Sequence, residues 1–547
     1  MAMSLRVLLA TGLLLMSVCL SGCEDSPDPD SSDSGSPDAG LPDAGPVVWD
    51  GTYTELEERG DILDTGPFAP CTFDTRDAGA TTCEELSRFD LSQCNLGSLS
   101  EVEAGSIYLY PLRDARPVPD GGNAVIEVGG VHFTEDGGNM FYVPLPLRDT
   151  GPGRFFVRGF APASTAAITL AGCEQKETDI ITGCFAYCYR ARLIRSGTFE
   201  AHRVSRWGGE PESSGGLELL SEGYTPLGHP LDLYVTKGHA YVVSIPKQVR
   251  TGGLSIFDVS NPRAPVLKKT LSLPGDNTWN GVWAKGDALY IASNTSGTLV
   301  YDISQPAEPL FIRGLTTGGT GTHTVLVDGD RLYSMAPGTG TFVHDISEPL
   351  SPRLLTVIAL PDAALLGGPH DTFVYENRLY VSDAFRGYFV VDVTDLDHVR
   401  ELGGYVRPDF TFAHHSAVGT FAGRTIAFEG GEFQYAHLRV LDVTRPERIV
   451  KIGEFRTHRP FTSIHNLLLR DNLLYIAWYQ DGVRVLDVSN PTRPRQVAHY
   501  NTFREADPYR TESPFEGLLG IRVPGDGYVY AADSSRGLLI FNELAQP

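Results

Sequence analysis

Over residues 215–547, short runs of β-branched and aromatic residues alternate with turns rich in Gly, Asp, Asn and Pro, and one run recurs seven times. It reads SIFDVSNP at Ser255–Pro262, LVYDISQP at Leu299–Pro306, FVHDISEP at Phe342–Pro349 and FVVDVTDL at Phe389–Leu396. RVLDVTRP at Arg439–Pro446 and RVLDVSNP at Arg484–Pro491 follow, with a worn copy, LIFNEL, at Leu539–Leu544. Runs of this length and composition are strands rather than helices. Each unit sets two strands joined by a tight turn ahead of this signature strand and a fourth behind it, and tyrosine recurs in the second strand at Tyr241, Tyr290, Tyr333, Tyr380, Tyr475 and Tyr530. Four antiparallel strands repeated seven times predict a seven-bladed β-propeller, a closed ring with only short, protected edges. The last unit has three strands, while a strand-like segment, Leu217–Ser221, stands unpaired before the first. Lending that segment to the last blade would close the ring.

The D-[VI]-[ST]-x-P copies resemble the LVIVD repeat of bacterial and archaeal cell-surface proteins. The resemblance implies a propeller and a surface location, without a settled biochemical activity. Blade four departs from the pattern at Asp395-Leu396, which lacks the proline, and blade seven carries Asn542 in place of aspartate. One aspartate per blade, two residues ahead of Ser or Thr, reads as a turn device whose carboxylate bonds local backbone N–H groups.

Ahead of the repeats the pattern changes twice. Residues 1–22 hold a single Arg6 and then an apolar run from Val7 to Leu20, too short to span a bilayer and read as a signal peptide. The run ends in Leu20-Ser21-Gly22-Cys23, which resembles the lipobox of bacterial lipoproteins; the resemblance implies cleavage before Cys23 and acylation of that residue. Residues 23–50 continue as an acidic, Pro- and Ser-rich stretch without a basic residue, a solvated tether. The reading is an exported protein held by lipid to the inner or outer membrane of the cell envelope. A net charge of −24 argues against nucleic acid as a partner.

All eight cysteines lie in the first 190 residues. With Cys19 removed in the signal and Cys23 lipidated, Cys71, Cys83, Cys94, Cys173, Cys184 and Cys188 remain, an even set that implies three disulfides with the pairing open. Short strand-like segments between them predict a small disulfide-stapled β-sandwich-like domain over residues 51–205.

One constellation carries candidate chemistry. His323, His370 and His465 each stand ten residues before the second-strand tyrosine of their blade. In blade five His415 stands eleven before Ile426 with His414 beside it, so either fits the level; His229 lies near it in blade one. First strands surround the channel of a propeller, so these imidazoles can gather at its mouth and hold iron, copper or zinc. The arrangement resembles the histidine set of propeller metalloenzymes such as carotenoid oxygenases. The same placement also suits a polar channel lining without metal. Long insertions before blades four, five and seven crowd this face and give it Phe410, Phe412, Tyr509 and Phe515, with Arg407 as a polar anchor. Glu429 and Glu432 read as solvated turn carboxylates. Two functions follow: a scaffold that binds an envelope protein or glycan on its loop face, and a metalloenzyme of oxidase or oxygenase type.

Overall fold

The computed structural model describes residues 49–546 apart from 63, 76–84, 117–123, 191, 206–209, 320, 408–411, 434 and 460. The signal peptide, nearly all of the tether, Cys23, Cys83 and Phe410 therefore lie outside the described residues.

Seven four-stranded antiparallel sheets make the propeller. The innermost strands are His229–Thr236, Trp279–Lys285, Thr324–Asp328, Asp371–Tyr375, Phe412–Phe421, Leu467–Arg470 and Leu518–Arg522, and neighbours in this series touch around the ring. In the last blade the outermost strand is Leu219–Gly223, paired antiparallel with Gly537–Asn542. The closing strand thus runs two residues later than Leu217–Ser221, and Leu217 itself is fully buried between blades six and seven. Blade six gains a fifth, two-residue strand, Ser213–Ser214, on its outer edge.

The repeated residues have distinct duties. In six blades the signature aspartate accepts the backbone N–H two residues on, at 2.7–3.1 Å. In blade seven Asn542 instead accepts from the Glu218 N–H and donates to the Gly216 carbonyl, so the exceptional copy grips the closing segment. Tyr241 and Tyr290 donate to the carbonyls of Pro306 and Pro349, the signature prolines of the next blade, and bond blade to blade. In six blades the third strand opens on glycine, blade five alone starting at Leu438; at Gly253, with φ of 145°, a Cβ would stand 2.0 Å from the Leu271 carbonyl oxygen.

The amino-terminal region is all-β as well. Nine antiparallel strands form one continuous sheet, ordered in space as 143–144, 137–140, 125–134, 107–114, 192–203, 180–189, 166–177, 154–161 and 147–151. The sheet rolls until Met140 near one edge lies against Gly159 near the other, enclosing Tyr110, Val131, Phe133, Val157, Leu170, Phe185 and Phe199. It has the buried interior of a sandwich, but its layers are two halves of one sheet. Disulfides Cys71–Cys184 and Cys94–Cys173 pin the segment ahead of the sheet to its strands, and Cys188 is disulfide-bonded too.

This sheet rests on the loop face of blades five to seven. Ile107, Leu109, Val125 and Val204 pack against Tyr435, Phe461 and Phe503. Arg203 bonds Glu505, and the Tyr142 N–H bonds Glu512 at 2.7 Å. The strap of residues 49–61 runs along the outer edge of blade five, from Tyr53 on Asp442 to Asp61 on His437 and Arg439.

Candidate metal centre

Each blade begins its innermost strand at the loop face, so the residue at or just before that start stands at the channel mouth. His323 and His370 immediately precede their strands, and their backbone N–H groups bond the second-strand carbonyls of Met335 and Ser382. His465 is fixed likewise by Ala477. In blade five the ladder slips between Ala413 and His415, leaving His414 as the bulged residue. The bulge settles which histidine joins the others. His414 lies between His370 and His465, with ring centroids at 4.4 and 4.3 Å, and His323 extends the row at 4.1 Å from His370. His415 points elsewhere, its Nε2 3.6 Å from Asp371, and is not part of the row. His229 is buried beside Lys247 and Glu516, outside it too.

A carboxylate completes the set. One ligand atom from each of His370, His414 and Glu432 lies within 4.8 Å of the others. His414 Nε2 is 3.7 Å from Glu432 Oε2, and the other Glu432 oxygen accepts the Tyr479 hydroxyl. Nδ1 of His370 and of His414 is buried without a hydrogen-bond partner. Burial holds both imidazoles well below their ordinary pKa and His323 and His465 at about 4, so all four are neutral, each ring with a lone pair on one nitrogen. Burial also pushes Glu432 up to about 7, against the hydrogen bond from Tyr479 that lowers it. His465 donates Nδ1–H to the Leu519 carbonyl, leaving Nε2 as its lone-pair atom, whereas His323 Nδ1 accepts from the Asn280 amide.

Aromatic rings wall the centre. Phe412 meets His370 edge-to-face at 5.0 Å, Phe433 meets Phe412 at 5.1 Å and Phe515 meets Phe433 at 5.6 Å. Tyr479 lies 5.8 Å from Phe515 and 5.0 Å from His465, so the rings return to the histidine row. Phe385 packs on Phe412 and Phe433 and is 41% exposed.

Of the loop-face residues read from the sequence, Phe412 and Phe515 stand at this centre. Tyr509 lies apart over the Arg250 guanidinium at 4.1 Å. Arg407 is no surface anchor: its side chain is buried 3.5 Å from Glu429. Glu429 is likewise not solvated but fully buried, and Glu432, at the end of the second strand of blade five, Arg424–Glu432, which runs longer than its counterparts, keeps only 14% of its side chain exposed. That extra length, and the eleven-residue count it pairs with, was the signal for Glu432. A further sulfur grouping, Cys71, Cys94 and Cys173, belongs to two neighbouring disulfides and offers no free ligands.

The LVIVD repeat model matches residues 228–272, 278–317 and 464–502, which are blades one, two and six; the chain carries LVIVD repeats on a seven-bladed propeller. No curated protein matches the chain. Among solved structures it is similar to the computationally designed Ika8 protein, at 10% identity over 69% of this chain and 93% of that one, with a TM-score of 0.40. It is similar also to a chain of the Mitotic Checkpoint Complex, at 10% identity, 62% and 94% coverage and a TM-score of 0.43. The WD40 beta propeller domain of Doa1 matches at 12% identity, 60% and 98% coverage and a TM-score of 0.43.

Proposed function

We propose that this chain is an exported, lipid-anchored propeller metalloprotein in which His370, His414 and Glu432 hold one divalent transition metal at the channel mouth. The observation that carries the reading is the convergence of three ligand atoms of these residues within 4.8 Å. Two neutral imidazoles and one carboxylate form a mixed nitrogen and oxygen set suited to iron or zinc, with copper as a third candidate. Three protein ligands leave coordination positions for a small molecule, which the metal would polarise or activate. His465 and His323 flank the set and supply a fourth ligand or a hydrogen bond. The LVIVD propeller is the scaffold, and the loop face is where its partner binds.

Metal content by mass spectrometry tests this on the whole exported chain. Near-stoichiometric iron, copper or zinc is expected, abolished in His370→Ala/His414→Ala and retained in His415→Ala. A well-folded protein that takes up none of the three metals sinks the reading. Equal loss in the His415 variant would return the ligand role to that residue.

A second reading, a metal-free scaffold for an envelope protein or glycan, draws on the partly exposed Phe385 and the long loops of the same face. It requires partner binding that survives the double histidine variant.

A further inference from the structure

Two blade junctions of the propeller are filled by extended segments of the chain itself. Along blade five the strap donates the Leu56 N–H to the Lys451 carbonyl at 2.8 Å, and Glu58 reaches in to Arg439, Lys451 and the Tyr405 hydroxyl of blade four. Along blade six Ser213–Ser214 pairs with Tyr500 and His499, and Glu210 bonds Arg484 at 2.7 Å. Arg439 and Arg484 hold the same place in their blades, three residues before the signature aspartate. At both junctions a cation of the blade meets an acid of the passing segment.

The junction between blades three and four has the same build and the opposite chemistry. Glu401, which pairs with Val391, stands at the register that Lys451, pairing with Leu441, holds in blade five, and Phe389 takes the place of Arg439. An open groove of about 410 Å³ lies there, lined by residues 357–361 of blade three and by Val391, Val399 and Glu401 of blade four. Among the described residues no segment pairs with the outer strand of blade four, Arg400–Tyr405. On the facing wall Val357 is 40% exposed, and residues 354–360 run without a charge, whereas the outer strands of blades one and two carry Lys268, Lys269 and Arg313. Strand edges left bare are ordinarily guarded by such charges. Arg386 stacks on Phe389 at 3.6 Å and is shared between Glu401 and Asp383, so two carboxylates meet one guanidinium.

We propose that an extended segment of a partner protein docks in this groove, laid along the outer strand of blade four as the strap lies along that of blade five. Its apolar side chains face blade three, and a lysine or arginine meets Glu401. Backbone pairing to a strand edge supplies affinity, and the pockets for alternate side chains supply selectivity. The chain's own tether does not suit the groove, since residues 23–50 are acidic and lack a basic residue, and would bring like charge to Glu401. The metal centre takes no part in this contact.

The test uses the whole exported chain with Cys23→Ser. A phage library of random peptides is selected on it, and the enriched peptides are synthesised and their affinities measured by fluorescence anisotropy. Peptides that combine aliphatic or aromatic residues with Lys or Arg are expected. Val357→Asp should weaken them about tenfold or more, because binding would then bury a charge against apolar side chains, while the circular dichroism spectrum stays unchanged. Glu401→Lys should turn the selection toward acidic peptides. His370→Ala/His414→Ala should leave the affinities as they are. Failure to enrich any peptide, enrichment of peptides without a basic residue, or affinity indifferent to Val357→Asp overturns the proposal. So does a dimer in sedimentation that Val357→Asp dissolves, since the occupant would then be a second copy of this chain.

Discussion

Arg439 is fully buried and faces three carboxylates, Glu58 and Asp61 of the strap at 2.8 Å each and Glu429 at 3.9 Å. Burial alone would raise the Glu58 carboxyl, but the hydrogen bond and charge of Arg439 outweigh it and bring it down to about 2 from an ordinary 4.5. A depressed carboxylate stabilises the fold above its unfolded pKa and stops doing so as the pH falls through the folded one. Glu58→Gln should therefore cost roughly 3 kcal/mol near neutrality, and the gap to the parent chain should close between about pH 4.5 and 2. Melting temperatures across that range check it; a gap that widens in acid contradicts the assignment. Single residues were also where the sequence was hardest to read. The level of the imidazoles was legible because a repeat fixes it by counting, yet the choice between His414 and His415 turned on a bulge that counting cannot place. Glu432, Tyr479, Phe385 and Phe433 lie beyond the regular strand ends or at their tips, where no copy in another blade lends a position to compare.

At the scale of elements, the closing strand decides how the ring holds together. Leu217 is fully buried in the cluster shared by blades six and seven, just ahead of the strand Leu219–Gly223 that pairs with the last blade. Leu217→Ala should destabilise the protein by about 2–5 kcal/mol, since a cavity there is lined by strands that cannot collapse into it. Hydrogen exchange should show blade seven losing protection before the others, and uniform loss around the ring would argue against a weak seam there. Strand order in the propeller could be read from sequence because each pairing is local and repeated. The rolled nine-stranded sheet could not, because its central pairing joins Ile107–Asp114 to Arg192–Arg203, a non-local choice that alternation alone leaves free.

At the scale of the molecule, the loop face is shared. The sheet covers blades five to seven there, and the blade-seven insertion that it grips through Glu505 and Glu512 also carries Phe515 to the aromatic wall. Among the described residues no helix is long and apolar enough to cross a membrane. Any attachment by the amino terminus would rest on Cys23, and Cys23→Ser should move the protein from the membrane fraction to the soluble one after export. Retention in the membrane by the serine chain would refute the lipid anchor. The closing strand has a further consequence, in the order of synthesis. Leu219–Gly223 is made about 320 residues ahead of Gly537–Asn542, a delay of roughly 15–60 s at ordinary elongation rates. Throughout that interval Leu219–Gly223 is a strand without its partner. A polypeptide that stops short of its final repeat never supplies that partner and should be cut by protease near Leu219–Gly223 sooner than the finished chain, which pairs the strand.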